Sequence, residues 1–301
     1  MFDLPVGETV TTAIQWLQDN GAPVFDLVGS VMLELVNAVL YVLTAPASLV
    51  VTLASAVLAW WARGVGFAVF TALGLLLVQD MGLWQAAMNT LAVVLVAAVL
   101  AIAVGIPAGI WTARSPFAST TVRPVLDFMQ TLPVFVYLIP AVFLFGIGAV
   151  PAIVATFIFS IPPAVRLTEL GVRQVDKEIV EASVAFGARP SQVLRQVQLP
   201  LAIPSITAGL NQVIMMALSM VVICGMVGAG GLGEVVVQGV SRLDIASGFE
   251  AGLSVVFLAV FLDRLTGSFP RPKRAARCPV PSAEAQPEVS GPSHRQSNLV
   301  G

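Results

Sequence analysis

Charged residues punctuate this chain at long intervals, and the stretches between them are apolar. None falls between Arg63 and Asp80, between Asp80 and Arg114, between Asp127 and Arg166, or between Arg195 and Glu234. A helix that crosses a bilayer needs about 20 predominantly apolar residues. The gap from Asp127 to Arg166 must hold two helices, because GIGAVP at 146–151 breaks it in the middle. The pattern predicts seven spans, at 45–62, 65–80, 86–111, 131–147, 150–165, 207–228 and 248–265. The first two form a tight hairpin around Arg63 and Gly64. Residues 8–43 contain Glu8, Asp19, Asp26, Glu34 and Asn37. They read as one or two amphipathic helices at the membrane interface, with a further full span as the alternative. The chain thus divides into an interfacial region at 1–44, a transmembrane hairpin at 45–80, a core of five spans at 81–268, and a tail at 269–301. The core includes a long polar loop at 166–206. The tail is rich in Pro, Ser and charge and too poor in apolar residues to fold, so it is expected to be disordered.

Composition sharpens the class. Hydrophobic residues make up 57% of the 301 and charged residues only 11%, against about 45–50% and about 25% in soluble domains. In lipid the backbone must satisfy its own hydrogen bonds, and helices do so. The expected fold is all-α and polytopic. The net charge of -2 gives no sign of a nucleic-acid partner. Cys224 lies in an apolar run and Cys278 in the tail, so neither a disulfide nor a metal site is expected. The start, MFDLPVGETV, lacks the basic and apolar regions of a secretory signal.

Loop charge predicts orientation. Arg63, then Arg114 and Arg123, then Arg166, Arg173, Lys177, Arg189 and Arg195, then the tail cations Arg271, Lys273, Arg274 and Arg277 fall on one side of a seven-span arrangement. The alternating loops 81–85, 146–151 and 229–247 hold one basic residue, Arg242. The basic loops and the C-terminus are therefore expected in the cytoplasm and the N-terminus outside.

Chemistry within the spans is sparse. Ionisable groups deep in a membrane mark ion or proton paths, and mid-depth positions here carry almost none. Glu250 and Asp263 lie near the ends of the last span, and Asp263 adjoins Arg264. No His/Asp/Glu cluster or Ser/His pair argues for an intramembrane enzyme; the single histidine, His294, is in the tail. No catalytic residue, cofactor or metal is expected. Asn89, Asn211, Gln212 and Ser219 are polar positions on or near spans, and Phe135, Tyr137, Phe143 and Phe145 offer aromatic faces. Each could line a route, or simply pack or face lipid. Pro107 and Pro140 are expected to kink their spans, and the small residues of 97–109 suit close helix contact.

The loop at 181–200, EASVAFGARPSQVLRQVQLP, is polar amid this apolar chain. A short helix over 180–186 would end at Gly187 in the left-handed conformation. Pro190 suits the first turn of a second helix, and Pro200 is expected to stop it. A solvated connection of about 40 residues is far above the usual 4–6. A DNA-reading helix–turn–helix wants a free basic helix, whereas residues 166–195 hold five basic and four acidic residues between two spans. Docking of a partner is the third reading.

Glu181, Ala182, Ser183, Gly187, Val197, Leu199 and Pro200 resemble the signature loop of ATP-binding-cassette importer permeases, with Ser183 where Ala is usual and Val197 where Ile is usual. WQAAMNTLAVVLVAAVLAIAVGIPAGIWTAR at 84–114, QTLPVFVYLIPAVFLFGIG at 130–148 and MVGAGGLGEVV at 226–236 extend the likeness, specifically to permeases for glycine betaine, proline betaine and choline. It covers roughly 85–265. The resemblance implies an inner-membrane subunit that is no enzyme itself but is worked by a cytoplasmic ATP-binding subunit docked on this loop. It further implies a periplasmic or lipid-anchored solute-binding protein and a homodimer in the lipid bilayer. A secondary carrier or channel acting alone is the alternative. GAGGLG at 228–233 satisfies G-x-G-x-x-G, but the preceding run is long enough to cross a bilayer where a dinucleotide site needs a short strand. These glycines are expected to form a close-packed turn.

Overall fold

The protein, seen as a computed structural model, is described over residues 6–268; the expected tail disorder, Cys278 and His294 fall outside the described residues. Helix α1 runs Val6–Thr44. The hairpin follows as α2, Ser48–Arg63, and α3, Val65–Asp80. Next come α4, Trp84–Arg114, α5, Pro116–Thr131, α6, Val134–Phe145, and α7, Ala149–Arg173. The polar loop holds α8, Lys177–Ala185, and a single turn α9, Pro190–Gln192. A π-helical segment, Val193–Gln198, then leads into α10, Leu199–Gly225. The chain closes with α11, Gly231–Arg242, and α12, Ile245–Thr266. No strand occurs among the described residues.

Five helical runs are long and apolar enough to cross a membrane: Gly7–Thr44, Trp84–Arg114, Ala149–Arg173, Pro190–Gly225 and Ile245–Thr266. Each predicted span coincides with a helix, but those at 45–62 and 65–80 have only 16 residues, about 24 Å, and are not among the five, whereas the stretch at 8–43, read as interfacial with a span as the alternative, is. Two further details differ from expectation. The span at 131–147 shrinks to α6, whose 12 residues reach only about 18 Å. It follows α5 through a bend of 93°. Pro133 causes the break: it lacks an amide donor and forces the preceding Leu132 into extended backbone, φ -67 and ψ 134. Second, Pro200 does not stop the helix in which it sits. The π segment ahead of it is wider, with the Leu199 N–H donating to the Leu194 carbonyl. That extra residue gives room for the proline ring, and the helix runs on to Gly225. Residues 8–43, expected as one or two helices, are one continuous helix.

Helices α4, α7 and α10 pack at the centre. Ala97, Ala98, Ala101, Gly105 and Gly109 form the buried small face predicted for 97–109. A Cβ at Gly105 would lie 2.5 Å from the Ala164 Cβ, and one at Gly109 2.6 Å from the Val165 carbonyl oxygen. Lipid tails are as apolar as leucine, so helices in a membrane gain by such close backbone contact. The same device joins α7 to α10, where a Cβ on Gly171 would meet the Ser205 Cβ at 2.7 Å. Around this core the hairpin packs on α12 through Phe67, Phe70, Phe257 and Phe261, with ring centroids 5.4–6.4 Å apart.

Gly109→Val inserts a branched side chain against backbone that cannot retreat. Overpacking of this kind costs about 1–3 kcal/mol. The variant is expected to lower the thermal unfolding midpoint of the detergent-purified protein, whereas Gly252→Ala, with nothing within 4 Å of the added Cβ, leaves it unchanged.

Candidate functional site

The loops gather at two ends of the bundle. At one end the Arg173 Nη2 donates to the Thr112 carbonyl at 2.9 Å, joining α7 to α4. The Arg63 Nε donates to the Ser268 Oγ at 3.0 Å, joining α2 to the residues after α12. At the other end the Gly148 amide donates to the Val227 carbonyl at 3.2 Å. There too the Leu232 amide donates to the Thr90 Oγ1 at 2.8 Å. Among the described residues, the loop ends joined by these bonds fall into the two groups that charge separates in the sequence.

At the first end α8 and the π segment form an elbow. Asp176 caps α8, its carboxylate accepting the Glu178 amide at 3.0 Å. The helix closes as foreseen: Gly187 has φ 83, and the Ala188 amide reaches back to the Ser183 carbonyl at 3.1 Å. The Gln192 side chain then accepts the Arg189 amide at 2.8 Å, and Pro190 opens the second turn. The base of the elbow is anchored, because Leu194 packs with Val172 and Ala202 of the helices beneath. The arm is not: no residue of α8 is buried, and Phe186 at its tip is 93% exposed. Glu181, Ala182 and Gly187 are exposed, Ser183, Val197 and Leu199 half-buried, and Pro200 exposed. Behind the arm lies a cleft of about 400 Å³ lined by Arg114, Arg173, Lys177, Glu181 and Pro190, among others.

The candidate route residues are spread along the bundle. Asn89 sits at the far end, its Nδ2 donating weakly to the Ala229 carbonyl at 3.4 Å. Asn211 lies near Gly267, with its Oδ1 buried and without a hydrogen-bond partner among the described residues. The Tyr137 hydroxyl is likewise buried without a partner, against the cluster of Leu138, Met220 and Cys224. Phe135 is exposed on α6, as is Phe143, while Phe145 stacks edge-on with Phe25 of α1 at 5.6 Å. Gln212 and Ser219 share an uncovered face of α10 with Ala208 and Met215. The glycines of 228–233 form the expected close turn, with positive φ at Gly228, Gly230 and Gly231. A Cβ on Gly231 would meet the Thr90 Oγ1 at 2.5 Å, so the turn grips α4 and leaves no cradle for phosphates.

One feature has no counterpart in the expectations. Glu169 on α7 is buried, its Oε1 accepting from the Ser119 Oγ at 2.8 Å, the Arg123 Nη2 at 2.9 Å and the Arg173 Nε at 3.0 Å. One helical turn away Arg166 pairs with Asp127 of α5. In the sequence these charges bear only on orientation. The signal for their pairing is the spacing of 123 and 127 on one helix against 166, 169 and 173 on another. Among the described residues no group of acidic, cysteine or histidine side chains could hold a metal.

Residues 105–272 match the family described as the binding-protein-dependent transport system inner membrane component. The chain is similar to the glycine betaine/proline betaine transport system permease protein ProW of Escherichia coli (strain K12), 46% identical over 272 residues. That match covers 90% of this chain and 77% of ProW. It is similar also to the glycine betaine transport system permease protein OpuAB of Bacillus subtilis (strain 168), 43% identical, covering 87% and 93%. Among solved structures, an inward-facing form of the MetNI methionine ABC transporter shares the fold, with TM-score 0.55 and 24% identity over 61% of this chain and 94% of that one.

Glu169→Ala leaves two guanidinium groups and a serine without their acceptor. The two arginines are 57% and 39% exposed, so water replaces much of what they lose, and three hydrogen bonds to one carboxylate are together worth about 1–3 kcal/mol. A measurable loss of thermal stability is expected in the purified protein, and a smaller one for Glu169→Gln, whose amide oxygen still accepts.

Proposed function

The chain belongs to the binding-protein-dependent transport system inner membrane components, and on that premise we propose that it imports a quaternary ammonium solute when an ATPase subunit moves its elbow. It is a multi-pass permease of the inner membrane, not an enzyme, and its family works with a separate ATPase subunit and a solute-binding protein. The solute class follows the relatives: glycine betaine, proline betaine or choline. A permanent cation of this kind needs weak polar contacts and aromatic faces, in keeping with a membrane interior almost without charge.

The observation that carries the mechanism is the contrast within the elbow. Its base is packed between α7 and α10, while its arm presents Phe186, Val184 and Ile179 uncovered. Exposed apolar side chains on a rigid root suit a pocket on a partner. The signature positions Glu181, Ala182, Ser183, Gly187, Val197, Leu199 and Pro200 lie on this element. We assign it as the docking site of the ATPase. One elbow per chain and two ATPases per transporter make a homodimer. The uncovered α10 face supports this, because Gln212 and Ser219 would face lipid in a single copy. Between two copies they would border the route, with Asn89, Phe135, Tyr137 and Asn211 further along it.

Charge supports the orientation. The end that carries the elbow also carries Arg63, Arg114, Arg123 and Arg264, which supports a cytoplasmic side for it and for the C-terminus. Residues 1–62 contain no Lys or Arg. The contacts of α1 fall toward the opposite end: Gln18 with the Phe143 carbonyl, Phe25 with Phe145, and Val36 among Val93, Val96 and Ile153. At 39 residues α1 is about 58 Å long, nearly twice the hydrocarbon thickness. An outer-face helix lying along the interface, with the N-terminus outside, fits both facts.

The test is uptake in proteoliposomes holding the permease, its ATPase and its binding protein. ATP inside drives glycine betaine import, and Gly187→Val reduces it about tenfold, since a left-handed φ costs an L-residue about 1–2 kcal/mol and more when branched. Import driven by an ion gradient without ATP contradicts the proposal in favour of a secondary carrier.

A further inference from the structure

We propose that two ion pairs between α5 and α7 form a clamp that carries the movement of the elbow to α5, and through it to α6. The inference rests on the importer reading above. It starts from how loosely α5 is otherwise held. Only Ala118, Ser119 and Leu126 of its residues are buried, while Phe117, Val125 and Phe128 are exposed. Leu126 joins the main core with Val122 and Met129 beside it, a short apolar contact that by itself sets the register only weakly.

The charges set the register. Along α5 a cation, Arg123, precedes an anion, Asp127. Along α7 a cation, Arg166, precedes an anion, Glu169. The helices meet antiparallel, so Arg123 faces Glu169 at 2.9 Å and Asp127 faces Arg166. A slip of one turn in one direction would set Arg123 against Arg166. A slip in the other direction would set Asp127 against Glu169. Both alternatives oppose like charges, so the pattern selects one register by repulsion as well as attraction.

The pairs also lie at a junction. Arg173, the last residue of α7, holds Glu169 at 3.0 Å and the α4 carbonyl of Thr112 at 2.9 Å. Four residues further on, α8 begins. At its other end α5 turns through 93° into α6, which carries Tyr137. A push on the elbow therefore reaches α6 by two routes, the packed core and this clamp. The cavity of about 330 Å³ beside the pairs, lined by Arg123, Asp127, Arg166 and Arg173 among others, leaves them free to rearrange.

A tie that is merely structural would alter the amount of protein, not the solute moved per ATP. The experiment measures glycine betaine imported per ATP hydrolysed by the assembled complex in proteoliposomes, a ratio independent of yield. Asp127→Arg alone and Arg166→Asp alone each lower it about threefold to fivefold, the range set by an exposed pair turned repulsive. The double variant, which restores the pair reversed, returns to within about twofold of the unsubstituted complex. Asp127→Asn, which removes charge without reversing it, lowers the ratio about twofold and supplies the readout where reversal blocks assembly. Unchanged ratios in the single variants, or a double variant as poor as the singles, overturn the clamp. Absence of ATP-driven import by the unsubstituted complex overturns the importer reading and the clamp with it.

Discussion

Close contact between three helices, α4, α7 and α10, underlies everything else in this molecule. In lipid there is no solvent to squeeze apolar side chains together, so association comes from backbone approach and fitted surfaces. Gly105, Gly109 and Gly171 permit that approach along α7, where an added Cβ would fall 2.5–2.7 Å from a neighbour. A core so tightly packed moves as a body, because close-packed interiors transmit strain and do not absorb it. The elbow emerges from that body at α7 and returns into it at α10. On the proposed function, a displacement of the arm would reach the helices that carry the candidate route residues.

The distribution of polar groups follows from the same solvent. Charges cluster at one end, where Glu169 draws together Ser119, Arg123 and Arg173. At the opposite end, hydroxyl and amide groups of Thr90 and Asn89 hold the glycine turn. There too Asp244 caps α12, and the Ser247 hydroxyl and amide hold its carboxyl below the usual range. Between the ends the interior offers hydroxyls, amides and rings. Such an interior can pass a solute with a buried-charge problem of its own, yet it has no proton or ion relay to drive transport. An energy source outside the bundle, entering through the elbow, is what the proposed function supplies.

Much of this was legible in the sequence because the relevant signals are local. Long uncharged intervals gave the helices, and Gly187 with Pro190 gave the break within the elbow, both of which need only neighbours along the chain. Two local readings gave way to context. Pro200 was expected to end a helix, but the π segment before it widens the turn and the helix continues. The span at 131–147 looked continuous by hydropathy, yet Pro133 turns the chain and leaves α6 with 12 residues. Arg123 and Asp127 lie one helical turn apart, as do Arg166 and Glu169, but nothing along the chain says that these two helices meet, so the pairing across 46 residues was not read. Charge counting says which side of a membrane a residue favours and nothing about which partner it meets. The route residues Asn89, Tyr137 and Asn211 suffer the same limit, since a polar residue on a span can line a path or pack within the bundle.

The central claim is that the arm of the elbow lies in the cytoplasm and beneath an ATPase. Val184 is exposed on that arm and lies outside the signature positions. With the native cysteines replaced, Val184→Cys can be probed with a membrane-impermeant maleimide in intact cells and in inside-out vesicles, with and without the ATPase subunit. The account predicts labelling only in inside-out vesicles and protection when the ATPase is bound. Labelling in intact cells, or labelling undiminished by the bound ATPase, would contradict it.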